Sequence, residues 1–82
     1  MFKDQELIEL GFERQEETAE NSGAPEDWYY YTLDVGDICL ITDGSDEGKD
    51  TFTVSLLEHE TIEFQTHKAL KAFIQIIREN TV

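Results

Sequence analysis

Leu7, Ile8 and Leu10 gather on one broad face near the start of the chain while Asp4, Glu6 and Glu9 mostly turn away. This is the pattern of a short amphipathic helix over Phe2 to Leu10. Gly11 stands where helices end in the left-handed conformation, which a residue without Cβ enters at no steric cost. Phe12 is spaced to pack back on Leu7, completing a Schellman stop signal. Residues 12–19, FERQEETA, are polar and read as a charged edge strand. ENSGAPED, 20–27, is a loop by its Asn, Ser, Gly and single Pro.

The aromatic run WYYYTL, 28–33, has strong β propensity, and DVGD, 34–37, is a tight turn whose glycine permits a positive φ. ICLIT, 38–42, is short and apolar enough for a central strand. After a second turn, DGSDEGKD at 43–50, Phe52, Val54 and Leu56 alternate with Thr51, Thr53 and Ser55 within a strand over 51–57. EHET follows as a turn, and Ile62 and Phe64 mark one more short strand. The last element is the clearest: Leu70, Phe73, Ile74 and Ile77 follow helical spacing, with Ala69 and Ile76 widening the stripe. Thr66 is its expected N-cap, Asn80 marks its end, and Lys68, Lys71, Gln75 and Arg78 form an outward basic stripe.

Hairpin-length connections between successive strands predict an antiparallel meander. The expected fold class is α+β, a sheet of about four strands with a short N-terminal helix and a C-terminal amphipathic helix packed on one face. A chain of 82 residues buries one modest core, so residues 1–82 form a single domain.

Charge changes the picture more than hydropathy does. Nineteen acids against six bases leave a formal −13. That field repels phosphate, which argues against direct binding to nucleic acid or to an anionic membrane and favours a basic protein surface. No stretch approaches the ~20 apolar residues that span a bilayer, and the first ten residues carry acids where a signal peptide needs bases. The lone Cys39 fits a reducing compartment, and a cytoplasmic location is expected. The acids are also uneven: residues 1–65 hold 18 acids and three bases, whereas residues 66–82 hold Glu79 against Lys68, Lys71 and Arg78.

Candidate chemistry is sparse. Counted as a calcium loop from Asp43, the second turn places Val54 at position twelve, where a bidentate Glu is required, so a hairpin loop explains it better. Cys39 in the middle of ICLIT reads as a buried structural thiol, with His59 in a turn and His67 at a helix start. These three lack the short spacings of a zinc site, and no nucleophile elbow or phosphate-cradling loop is present. No catalytic residue, metal or cofactor is therefore expected. The tyrosines of WYYYTL suit a protein interface, where ring and hydroxyl are both used. Carboxylates two residues apart on a strand share a face at ~6.6 Å, comparable with the ~7 Å interval between consecutive phosphates, which makes nucleic-acid mimicry a physical option.

Taken together, the helix ending LGF, WYYYTL, CLITDGSDE, TVSLLEHETIEF and the terminal ALKAFIQII resemble a family of small, acidic, uncharacterised proteins from phages and mobile elements of Bacteroidetes-type bacteria. The family carries no agreed activity or catalytic residues. What the resemblance implies is a context in which short acidic proteins bind and inhibit a host protein, in the host cytoplasm.

The leading expectation is a non-enzymatic, phage-type inhibitor or nucleic-acid mimic occupying a basic site on a host nucleic-acid-handling protein. Asp43, Asp46, Glu47, Asp50, Glu58 and Glu60 are its expected binding surface, with Tyr29 and Tyr31 as anchors. One alternative is a structural or oligomerising module that pairs with another copy and is acidic for solubility. A second is a small metal-dependent or hydrolytic enzyme.

Overall fold

The computed structural model describes residues 2–23, 25–45 and 51–80. Its elements are α1 (Asp4–Leu10), β1 (Glu13–Glu17), α2 (Ala19–Ser22), β2 (Trp28–Val35), β3 (Ile38–Thr42), β4 (Val54–Leu56), β5 (His59–Phe64) and α3 (His67–Asn80). The strands lie in the order β1-β2-β3-β4-β5, each antiparallel to its neighbour. The meander is the one expected from the sequence, with the fifth strand fully part of the sheet.

Local signals fix the ends of α1. The Lys3 N–H donates to the Glu6 carboxylate at 3.0 Å, closing the N-terminal turn. At the other end Gly11 takes φ 101°, its N–H donates to the Ile8 carbonyl at 3.0 Å, and the Phe12 N–H donates to the Leu7 carbonyl at 3.0 Å. Both Schellman bonds are thus made. Phe2 does not belong to the helix as expected, because its backbone exchanges two hydrogen bonds with Phe52, at 2.9 and 2.7 Å.

The expected loop after β1 contains a single helical turn, α2. Thr18 Oγ1 accepts from the Asn21 N–H at 3.2 Å and Asp27 Oδ1 accepts from the Ala19 N–H at 2.7 Å. β2 runs beyond the aromatic segment to Val35, which pairs with Ile38 across a two-residue turn opened by Gly36 at φ 61°. A glycine with positive φ at the first turn position matches the right-handed twist of the flanking strands. β4 is shorter than its alternation implied, since Phe52 pairs with Phe2 instead of continuing the ladder. β5 is longer, because the turn before it contains only Leu57 and Glu58 and a bulge between Ser55 and Leu56 resets the register.

Alternation on the strands and a helical stripe meet in one core. Tyr31, Leu33 and Val35 from β2, Leu40 from β3 and Val54 from β4 pack with Leu7 of α1 and with Leu70 and Ile74 of α3, alongside Phe2, Phe12 and Phe52. Burial of each such side chain contributes ~1.5–3 kcal/mol. Thr66 caps α3 as expected, accepting from the Ala69 N–H at 3.0 Å. The apolar stripe is narrower than expected: Ile76 is 57% exposed and Ala69 is exposed, while Phe73 packs on Phe64 of β5 with ring centroids 5.1 Å apart. No described helix is long and apolar enough to cross a membrane. α1 and α3 therefore both pack on one side of the sheet, and among the described residues neither of these helices packs on the other.

Candidate functional site

Strand alternation decides which side chains the open side displays. On β2 the odd positions, through Val35, point into the core, so Trp28, Tyr30, Thr32 and Asp34 point outward. Across the ladder, Glu17, Gln15 and Glu13 of β1 stand opposite Trp28, Tyr30 and Thr32. On the other flank Asp34 faces Cys39 and Thr32 faces Ile41, which in turn faces Ser55 of β4 and then Glu63 of β5. One row thus reads Glu13, Thr32, Ile41, Ser55, Glu63, with a carboxylate at each edge. Trp28 and Tyr30 lie ring against ring at 5.5 Å, and Gln15 Nε2 donates to Thr32 Oγ1 at 3.1 Å. The described strand residues on this face carry four carboxylates, Glu13, Glu17, Asp34 and Glu63, and no Lys or Arg.

The expected anchors Tyr29 and Tyr31 both lie on the core side of β2, Tyr31 buried and Tyr29 half-buried. Tyr31 is 1% exposed, its hydroxyl donates to Asp4 Oδ2 at 2.7 Å, and its ring meets Phe52 edge-on at 5.3 Å. Burial, then the Asp4 hydrogen bond and charge, push its hydroxyl up to about 12. Tyr29 is half-buried against Tyr31 and Phe52, with the Arg14 guanidinium 3.6 Å from its ring centroid. Burial foremost, with the nearby Asp4, also raises its pKa. The outward rings are Trp28 and Tyr30 instead. The signal was in the strand itself, because Leu33 and Val35 share the odd parity while Thr32 and Asp34 share the even.

The acidic residues expected in the site fare differently. Asp43 is half-buried and structural: its N–H donates to the Thr53 carbonyl at 3.3 Å and its Oδ1 accepts from the Thr53 N–H at 2.9 Å. Asp46, Glu47 and Asp50 lie outside the described residues. Glu58 is exposed in the β4–β5 turn, and Glu60 follows within β5. The turn thus separates these two, and the even spacing of one strand does not apply to them. The regular acidic spacing belongs to β1, whose Glu13 and Glu17 were not singled out from sequence.

Two of the hollows lined by described residues bear on the candidate chemistry. One, of about 300 Å³, is lined by Cys39, His59, Glu58 and Asp37 together with Leu56 and Leu57. His59 opens β5 instead of sitting in a turn, and Cys39 is half-buried on the outward face instead of enclosed in the core. Burial and the neighbouring Asp34 raise the Cys39 thiol, which favours the protonated form over the nucleophilic thiolate. The other hollow, of about 400 Å³, lies between α1 and α3, where Lys71 and Arg78 alternate with Glu9 and Glu79 above Leu10 and Ile74. Among the described residues no group of three or more His, Cys, Asp or Glu side chains converges as metal ligands would. Comparison with protein-family models, with curated proteins and with solved structures finds no match for this chain.

Proposed function

We propose that the chain is a non-enzymatic binding protein whose open, acidic sheet face occupies a basic site on another protein, in the manner of a nucleic-acid mimic. The observation that carries this reading is the pairing of outward-pointing, half-buried aromatic rings, Trp28 and Tyr30, with carboxylates on a face whose described strand residues include no Lys or Arg. Trp28 stands directly opposite Glu17, so a partner guanidinium placed there meets a π face and a carboxylate together. Such combinations are typical interface anchors. The β1 carboxylates at positions 13 and 17 lie ~13 Å apart, about two phosphate intervals of a nucleic-acid strand.

The test is competition. A basic DNA-binding protein captured from a host extract at low salt is expected to be released by added duplex DNA. Replacing Glu13 and Glu17 together by Lys is expected to abolish capture and flatten its salt dependence. Reversing Asp46 and Glu47 in a second variant measures the share of the loop. Capture indifferent both to duplex DNA and to these reversals would exclude the mimic.

A specific observation favours a second reading as an oligomerising module. Leu57, Ile62 and Ile76 are 44%, 48% and 57% exposed. Sedimentation at high protein concentration discriminates, since a monomer throughout would remove this alternative.

A further inference from the structure

We propose that the free edge of β1 accepts an extended segment of the partner protein carrying Arg or Lys at alternate positions, which adds to the sheet as a sixth strand. This rests on the binding reading above and gives its partner a chemistry. β1 is the outermost strand of the sheet, and among the described residues no backbone group pairs with its outer edge. The direction of its backbone groups follows from β2. The N–H groups of Tyr29 and Tyr31 donate to Ser45 Oγ and Thr42 Oγ1, both at 2.9 Å and both on the side away from β1. Backbone groups alternate in direction along an antiparallel strand. Trp28, Tyr30 and Thr32 therefore bond toward β1, and their partners Glu17, Gln15 and Glu13 bond back. Arg14 and Glu16 are left with N–H and C=O groups aimed along the open edge, the template that strand addition uses.

The side chains select what can use that template. In an added strand, residues opposite Glu13, Gln15 and Glu17 form the non-hydrogen-bonded pairs, where side chains approach most closely. Basic residues at alternate positions would lie on the open face against Glu13 and Glu17, with Trp28 beside Glu17. On the covered face the added strand would meet Arg14 and Glu16, already joined to one another at 3.0 Å, so neutral residues suffice there. A second copy of this chain fits poorly. Paired about Gln15, it would set Glu13 against Glu17 twice and bring a second charge of −13 to the interface. Its Arg14 is engaged with its own Glu16 and Tyr29 ring. The same carboxylates that discourage self-pairing invite a cationic strand.

The experiment uses two short synthetic peptides of equal composition, one alternating arginine with threonine and one with its arginines in a single block. Trp28, the one tryptophan of the chain, reports binding by fluorescence. Amide hydrogen exchange reports which backbone groups are covered. The alternating peptide is expected to bind about tenfold tighter than the block, a difference of ~1.4 kcal/mol, and to slow exchange at Arg14 and Glu16. Replacing Glu13 and Glu17 by Gln is expected to remove that preference. Equal binding of both peptides without protection of Arg14 and Glu16 would overturn strand addition while leaving the acidic-face reading intact. Failure of both peptides to bind at low salt would overturn both readings. Protection of Arg14 and Glu16 that grows with protein concentration in the absence of peptide would assign the edge to a second copy, and overturn the proposal.

Discussion

Tyr31 shows how one hydroxyl joins two parts of the molecule. It links the middle of β2 to the first residue of α1 through the bond to Asp4. Its pKa is raised in the folded state from 10.0 to about 12, so unfolding eases loss of the proton. The associated stability is fully present below pH 10 and is lost as pH rises through about 12. Tyr31→Phe is expected to cost about 1–2 kcal/mol at neutral pH through the missing hydrogen bond. It should also flatten the alkaline decline between pH 10 and about 12. Urea titrations at pH 7 and pH 11 check both. Equal alkaline losses in the two proteins would show that the Tyr31–Asp4 bond does not control that window.

At the scale of elements, the sequence was most readable where one residue type has a single physical use. Gly11 signalled the end of α1 because both Schellman bonds need a left-handed residue there, and Thr66 signalled the start of α3 because its hydroxyl caps an unpaired N–H. Gly11→Ala places a Cβ on a backbone at φ 101°, and is expected to destabilise by ~1–2 kcal/mol. The space around it is ordinary, with Arg78 Nη2 at 3.6 Å, so strain and not collision sets the cost. Thermal unfolding measures it, and an unchanged midpoint would refute the strain argument. Less was readable where tertiary pairing overrode local pattern. Phe2 reads as helix, yet Phe52, distant in sequence, draws it into a bridge. The run Trp28 to Tyr31 gives no parity by itself, because every ring is large and apolar. Its direction is decided by Leu33 and Val35 further along the same strand.

For the whole molecule, the net charge of −13 bears on stability. Like charges crowd together on folding and oppose the compact state. Raising salt from 10 mM to 1 M shortens the screening length from ~30 Å to ~3 Å. The urea midpoint is therefore expected to rise with sodium chloride, whereas a flat or falling midpoint would show the repulsion to be negligible. The uneven acid distribution was visible in the sequence, but the surface it forms was not, because which carboxylates share a face depends on strand register. That is why Glu13 and Glu17 emerge only from their pairing with Thr32 and Trp28. The bridge between Phe2 and Phe52 has a further consequence, one of timing. Every strand ladder joins chain neighbours, whereas this bridge joins residues fifty positions apart. Its loop closure carries the larger entropy cost, so the hairpins can zip while the N-terminal segment is still unattached. The segment is thus expected to close as a clasp after the hairpins, and amide exchange at Phe2 and Phe52 should be faster than within the β2–β3 hairpin; equal exchange would refute this.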